Sequence, residues 1–188
     1  MKKTALILLF AAIFLLYNPA LIEASQDFSE PILVTSAGQS PDAQMARAIL
    51  ARIGLDHEFE ELISADEIEE DTETFVIVVG GSSKGLGAAG LDEDEEMDRI
   101  EELLKAIKDR EINLIAMHLG GESRRGAISD PFIELVFPEA DYLIVYEEGD
   151  EEDRLMREIA EENDIELTYV DKVANSEEPL KDVFNVDE

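Results

Sequence analysis

Three short stretches hold most of the groups in this chain able to do chemistry. SAGQS supplies Ser36, Gly38, Gln39 and Ser40; GGSSK supplies Gly80, Gly81, Ser82, Ser83 and Lys84; HLGGESRR supplies His118, Gly120, Gly121, Arg124 and Arg125. Hydroxyls, an amide and a lysine are hydrogen-bonding groups, and glycine lets backbone N–H groups approach a ligand closely. Adjacent arginines suit a carboxylate or another small anion, because each guanidinium can grip two oxygens at once. In a chain with 46 Asp plus Glu against 15 Lys plus Arg, such a pair means either anion recognition or a local ion-pair network. His118 is one of only two histidines. At the end of an apolar run it is a candidate proton carrier or ligand contact, with a hydrogen-bonded rim residue as the plainer role. His57, which opens a different run, reads as structural.

Residues 85–90, GLGAAG, match the dinucleotide fingerprint G-x-G-x-x-G letter for letter. The context argues against a nucleotide. The fingerprint needs its first glycine at the strand end and its last in the first helical turn, but Gly85 lies well past the run TFVIVV. The next strand ends near His118, with no acid before Glu122 to hold a ribose. The next helix opens on Asp92, Glu93, Asp94, Glu95 and Glu96, where a pyrophosphate would have to sit. No Gly-Lys-Ser/Thr phosphate loop is present. GGSSK therefore reads as the part facing a ligand, with GLGAAG as flexible cover.

Covalent catalysis has little to draw on. Ser36, Ser82 or Ser83 needs an activated base, for which His118 with Glu122 is the candidate, and no G-x-S-x-G elbow exists. The chain has no cysteine, which removes disulfides, thiolate catalysis and thiolate metal sites. Two distant histidines make a poor zinc site, and the acidic run DEDEEMD lacks the calcium-loop spacing. Nothing points to a cofactor.

These stretches need a scaffold, and the chain spells one out. ILVTSAG, HEFEELI, TFVIVVGG, NLIAMHLGG, DYLIVYEEG and IELTYV read as strands. Between them come helical patterns. SPDAQMARAILARIG has Ser40 as N-cap, Pro41 in the first turn, Gly54 as stop and a face of Met45, Ile49, Arg52 and Ile53. DEDEEMDRIEELLKAIKDRE has its face at Met97, Ile100, Leu103, Leu104 and Ile107, with its charges matching the helix dipole. Alternation of this kind predicts a three-layer, doubly wound α/β domain on a mainly parallel sheet of five or six strands. A flavodoxin-like order, 2-1-3-4-5 with a sixth strand at the edge, is the first expectation; a Rossmann-like 3-2-1-4-5-6 is the second. In the first order, the three stretches meet at one rim.

The first residues, MKKTALILLFAAIFLLYNPALIEASQ, pair Lys2 and Lys3 with an apolar run too short for a comfortable span. Small residues follow, the order of an export signal. The expected organisation is a signal peptide at 1–24, a linker at 25–31 and one domain at 32–188, in the periplasm or outside the cell; an uncleaved anchor is the alternative. A formal net charge of −31 repels nucleic acid and anionic lipid, and resembles surfaces adapted to high salt.

Taken together, ILVTSAGQSPDAQM, VIVVGGSSKGLGAAGLD, MHLGGESRRG and ADYLIVYEEGD resemble an uncharacterised family of exported bacterial proteins, domain of unknown function 6305. The resemblance implies a self-standing secreted α/β domain and assigns no catalytic residue. From the residues themselves, the first functional expectation is extracytoplasmic binding of a small anion or carboxylate, with a transporter or sensor as partner. The alternatives are a secreted hydrolase or transferase using a rim serine and His118, and a structural or partner-binding domain.

Overall fold

Strands that read as unbroken apolar runs need cover on both faces, and the helices supply it. A computed structural model of the protein describes residues 28–186; the predicted signal peptide lies outside them, as do residues 25–27 of the predicted linker. The strands are β1 (Ile32–Ala37), β2 (His57–Phe59), β3 (Thr74–Val79), β4 (Asn113–His118), β5 (Tyr142–Tyr146) and β6 (Glu166–Val170). Their order is β2-β1-β3-β4-β5-β6 and every pairing is parallel. This is the first of the two expected orders. The direction of winding reverses between β1 and β3, and the sixth strand extends the edge.

Side chains alternate across the sheet. One face carries Ile32, Val34, Val76, Val78, Ile115 and Met117, covered by α1 (Asp42–Ile53) and α6 (Glu177–Val183). The other carries Leu33, Ala37, Phe75, Ile77, Leu114 and Ala116. It is covered by α3 (Glu93–Asp109), α4 (Asp130–Val136) and α5 (Leu155–Asn163). On α3 the buried residues are Ile100, Leu103, Leu104 and Ile107 together with Glu96. Asp92 and Glu95 close a capping box at its start. Among the described residues, no helix is long and apolar enough to cross a membrane.

Four local expectations change. The helix α1 buries Ala43, Ala46, Ile49 and Leu50, while Met45 is exposed. Alanines let the helix lie close to the sheet, so its buried face is rotated away from Met45 and Arg52. Strand β2 stops at Phe59 rather than Ile63, because the Thr35 hydroxyl donates to the Glu60 and Glu61 carbonyls at 2.7 and 3.2 Å and turns the chain off the ladder. Phe28, in the predicted linker, is buried with its ring 6.2 Å from Tyr142 and 6.0 Å from Phe184. Lastly, GLGAAG is no loose cover. Ser83–Ala89 forms a short helix, α2, with Ser82 as its cap and Gly90 at its end. The fingerprint glycines Gly85 and Gly87 therefore lie inside a helix, a geometry no dinucleotide loop shares.

Candidate functional site

In a parallel sheet, ligands sit beyond the carboxyl ends of the strands, where the winding reverses. Here that rim is built by the segments leaving β1, β3 and β4. The β1 segment is fixed from below by a buried ion pair. Glu96 has no solvent exposure, and its Oε1 accepts from Gly38 N–H (3.0 Å), Gln39 Nε2 (2.9 Å) and an Arg99 amine (2.8 Å). Arg99 Nε donates to Glu96 Oε2 (2.8 Å), and its other nitrogens reach the Ser36 and Ile63 carbonyls at 2.6 and 3.0 Å. Gln39 also bridges to Gly81 across the rim. This pair went unread in the sequence, where Glu96 looked like one more acid at a helix start. The signal was present: Glu96 stands in register with Ile100, Leu103 and Ile107.

The three predicted stretches do meet, but most of their groups are already engaged. Gly80 N–H donates to Ala37 O (2.9 Å), Gly81 N–H to Ser129 Oγ (2.8 Å) and Ser82 N–H to Gly38 O (2.8 Å). The backbone amides expected to cradle an anion thus hold the rim together. Ser82 Oγ caps α2 by accepting from Gly85 N–H. Ser40 is buried and its Oγ accepts from Asp42 N–H. Ser83 and Lys84 are exposed on the first turn of α2, and Gly121 lies against Glu148. The two arginines separate. Arg125 belongs to a network, donating to Asp130, to both oxygens of Asp153 and to the Gly149 carbonyl, with Asp150 at 3.8 Å. Arg124 remains half-exposed, its Nε 3.7 Å from Asp42 Oδ2, too long for a hydrogen bond.

What stands out is a pair of buried acceptors without partners. Asp42, at the start of α1, is 5% exposed, and its Oδ2 has no hydrogen bond within the protein. His118 is fully buried. Its Nδ1 lies 2.9 Å from the Val79 carbonyl, which can only accept, so Nδ1 carries the proton. In the neutral ring Nε2 then offers a lone pair, and that atom too has no partner. Gly120 links the two. A Cβ there would stand 3.2 Å from Asp42 Oδ2 and would strike the Arg124 side chain, which folds over it. The Gly120 carbonyl meets Gly149, where a Cβ would stand 3.0 Å from His118 Nε2. Buried polar atoms are nearly always satisfied, so two orphaned acceptors at one switch-point rim mark a place for a donor. Asp42 also went unread, since an acid in a first helical turn is ordinary dipole chemistry.

Burial holds the His118 imidazole below its ordinary range; the Val79 hydrogen bond opposes this, and the Arg125 charge adds to it. The sign for stability follows. The unfolded chain takes up a proton near pH 6.5 while the folded ring resists it, so stability is complete above that pH and falls as pH drops below it. One such group sets a slope of at most about 1.4 kcal/mol per pH unit. In His118→Asn, whose amide can still donate to Val79, melting curves between pH 7.5 and 5 should show a flatter dependence than the parent. The carboxylates common to both chains cancel in that comparison. Parallel curves would mean that His118 is not held neutral.

Other features lead elsewhere. A groove of about 720 Å³ lies against Asp56, Glu58, Glu60, Glu67, Glu69 and Asp71. It sits at the N-terminal ends of the strands, and none of the orphaned buried atoms lines it. Ser36 Oγ is also buried and unpartnered, but it faces the α1 side of the sheet and His118 the α3 side. Among the described residues, no group of three or more His, Asp and Glu is placed to hold a metal ion.

The family described as Domain of unknown function (DUF6305) matches residues 29–184. No curated protein matches the chain. Among solved structures, it is similar to AlinE4, described as an SGNH-hydrolase family esterase. Identity is 14% over 87% of this chain and 85% of that one, with a TM-score of 0.33. It is also similar to a GDSL-like lipase from Bacteroides thetaiotaomicron, at 11% identity over 73% and 66% of the two chains, with a TM-score of 0.35. Likeness at this level says nothing about chemistry at the rim.

Proposed function

The chain belongs to the DUF6305 family, and from that premise we propose that it is an extracytoplasmic binding domain for a small polar molecule. The ligand's place is the rim where β1, β3 and β4 end. One observation carries this reading: Asp42 Oδ2 and His118 Nε2, both buried and both acceptors, are brought to the same rim and left without partners. A ligand bringing N–H or O–H groups removes the cost of burying those atoms unsatisfied, about 1–3 kcal/mol each. The positive charge expected to meet a ligand's anionic part rests on Arg124 and on exposed Lys84, since Arg125 is held in its network. Export, and a transporter or sensor as partner, belong to the same proposal.

The hydrolase reading needs a hydroxyl within hydrogen-bonding reach of His118 Nε2. That nitrogen has no partner; Ser36 faces the other layer, Ser82 caps a helix and Ser83 is exposed on the first turn of α2. Binding is therefore the better-supported reading.

A thermal-shift panel tests it, covering amines, amino acids, polyols, carboxylates and phosphates, at low and at molar salt. A ligand present at a hundred times its Kd adds about 2.7 kcal/mol. For a domain of this size that is a rise of several degrees, on the order of 5–10 °C. Silence across the whole panel at both salt levels would overturn the proposal.

A further inference from the structure

Resting on the binding reading above, we infer the ligand's class: a small zwitterion with an ammonium group and a carboxylate, seated between Asp42, His118 and Arg124. The charges at the rim argue for it. Asp42 brings one negative charge and Arg124 one positive charge, and the two are loosely matched at 3.7 Å with no hydrogen bond between them. An ammonium group supplies the N–H donors that the orphaned acceptors lack and neutralises the buried carboxylate. That releases Arg124 from its ion pair with Asp42. Its guanidinium, 35% exposed over Gly120, is then free to take a carboxylate on two oxygens.

Simpler ligands fit less well. A plain anion leaves Asp42 Oδ2 unsatisfied and adds a second negative charge to a rim already lined by Glu122, Asp130, Glu148 and Asp153. A plain amine satisfies Asp42 but leaves Arg124 without a counter-ion. A neutral polyol supplies donors, yet it leaves the Asp42 charge answered only by the loose Arg124 contact. The zwitterion alone brings donors for the orphaned acceptors and keeps the charges of Asp42 and Arg124 balanced. Asp42 Oδ2 and His118 Nε2 have no solvent exposure, so entry requires side chains to move, among them Arg124, which folds over Gly120 beside Asp42. The same side chain is therefore both the cover and the carboxylate hook.

The groups facing His118 bound the pH range of such binding. They are Asp42 on α1, Asp130 on α4, and Arg125 in the segment after β4. Donation to Nε2 needs His118 neutral, the state that its burial favours.

The test uses matched triads on the full chain: each α-amino acid, and short amino acids with longer spacing, beside the amine lacking the carboxylate and the acid lacking the ammonium. Calorimetry and thermal shift should show at least one amino acid binding tenfold or more tighter than both of its partial analogues. Arg124→Gln should weaken that ligand at least tenfold while leaving its amine analogue nearly unchanged. Lys105→Gln, an exposed charge on α3, should leave both unchanged. Binding of acids or phosphates alone, or of polyols, overturns the zwitterion while the binding reading stands. Silence of the triads together with the broad panel overturns both. The parent-chain comparison decides the matter even if Arg124→Gln fails to fold.

Discussion

Arg99→Met should lower the unfolding free energy by about 3–5 kcal/mol, the cost of leaving a buried charge without its partner. Glu96 is fully buried, and Arg99 holds it through two nitrogens at 2.8 Å. Without the guanidinium, the carboxylate keeps only Gly38 N–H and Gln39 Nε2, both neutral donors. The Ser36 and Ile63 carbonyls lose a donor as well. Pairing Arg99→Met with Glu96→Met should recover a large part of the loss, because an apolar pair carries no desolvation penalty. Urea unfolding of the two single variants and the double variant gives the coupling directly. A loss below about 1 kcal/mol in Arg99→Met would show that the pair is in fact open to solvent, where ion pairs contribute little. The double variant carries a second reading. Its β1 segment has lost the bonds that hold Gly38 and Gln39, so any ligand response at Asp42 should weaken even where stability returns.

The second large effect is a change of sign between two glycines of the same helix. By propensity alone, Gly→Ala in a helix interior stabilises by about 1 kcal/mol. Gly87→Ala should do so, since its position is exposed and a Cβ there meets nothing within 4 Å. Gly85→Ala should instead destabilise by about 1–3 kcal/mol or more, the usual cost of overpacking. A Cβ at Gly85 would stand 1.9 Å from the Gln39 carbonyl oxygen. That atom is backbone, in a residue pinned by Glu96 and bridged to Gly81, so it has little room to yield. Denaturation midpoints of the two variants decide the point. If both move in the same direction, α2 does not lie against the β1 segment as described. The result also gives the G-x-G-x-x-G match its meaning: Gly85 is fixed by helix packing against the β1 segment and by no nucleotide.

How much could be read in advance varies with the range of the cause. TFVIVV announces a strand covered on both faces because burial on both sides demands apolar residues at every position. Met97 to Ile107 announces a helix face for a similar reason. These causes lie within a few residues of their effects. The meeting of SAGQS, GGSSK and HLGGESRR at one rim also followed, once the strand order was taken as 2-1-3-4-5, since parallel winding leaves those ends side by side. The inward face of α1 did not follow, because alanines can pack as a helix's buried face and Met45 gave a stronger local pattern.

By itself, then, the sequence determined the α/β class, the alternation of six strands with helices, the rim where special residues gather and the family. Each of these is written in local periodicity or in short contiguous blocks of residues. Only the tertiary structure decided which groups at the rim have anything left to offer. Gly80, Gly81 and Ser82 looked like free donors and are held by Ala37, Ser129 and Gly38. Arg124 and Arg125 are neighbours in the chain, yet one is locked among three aspartates and the other lies loosely over Asp42. Asp42 looked ordinary and His118 was one candidate among several, yet both are buried acceptors left without a partner. The physical reason is that a hydrogen bond is satisfied or orphaned by whatever the fold brings within about 3 Å, and those partners come from segments far away along the chain.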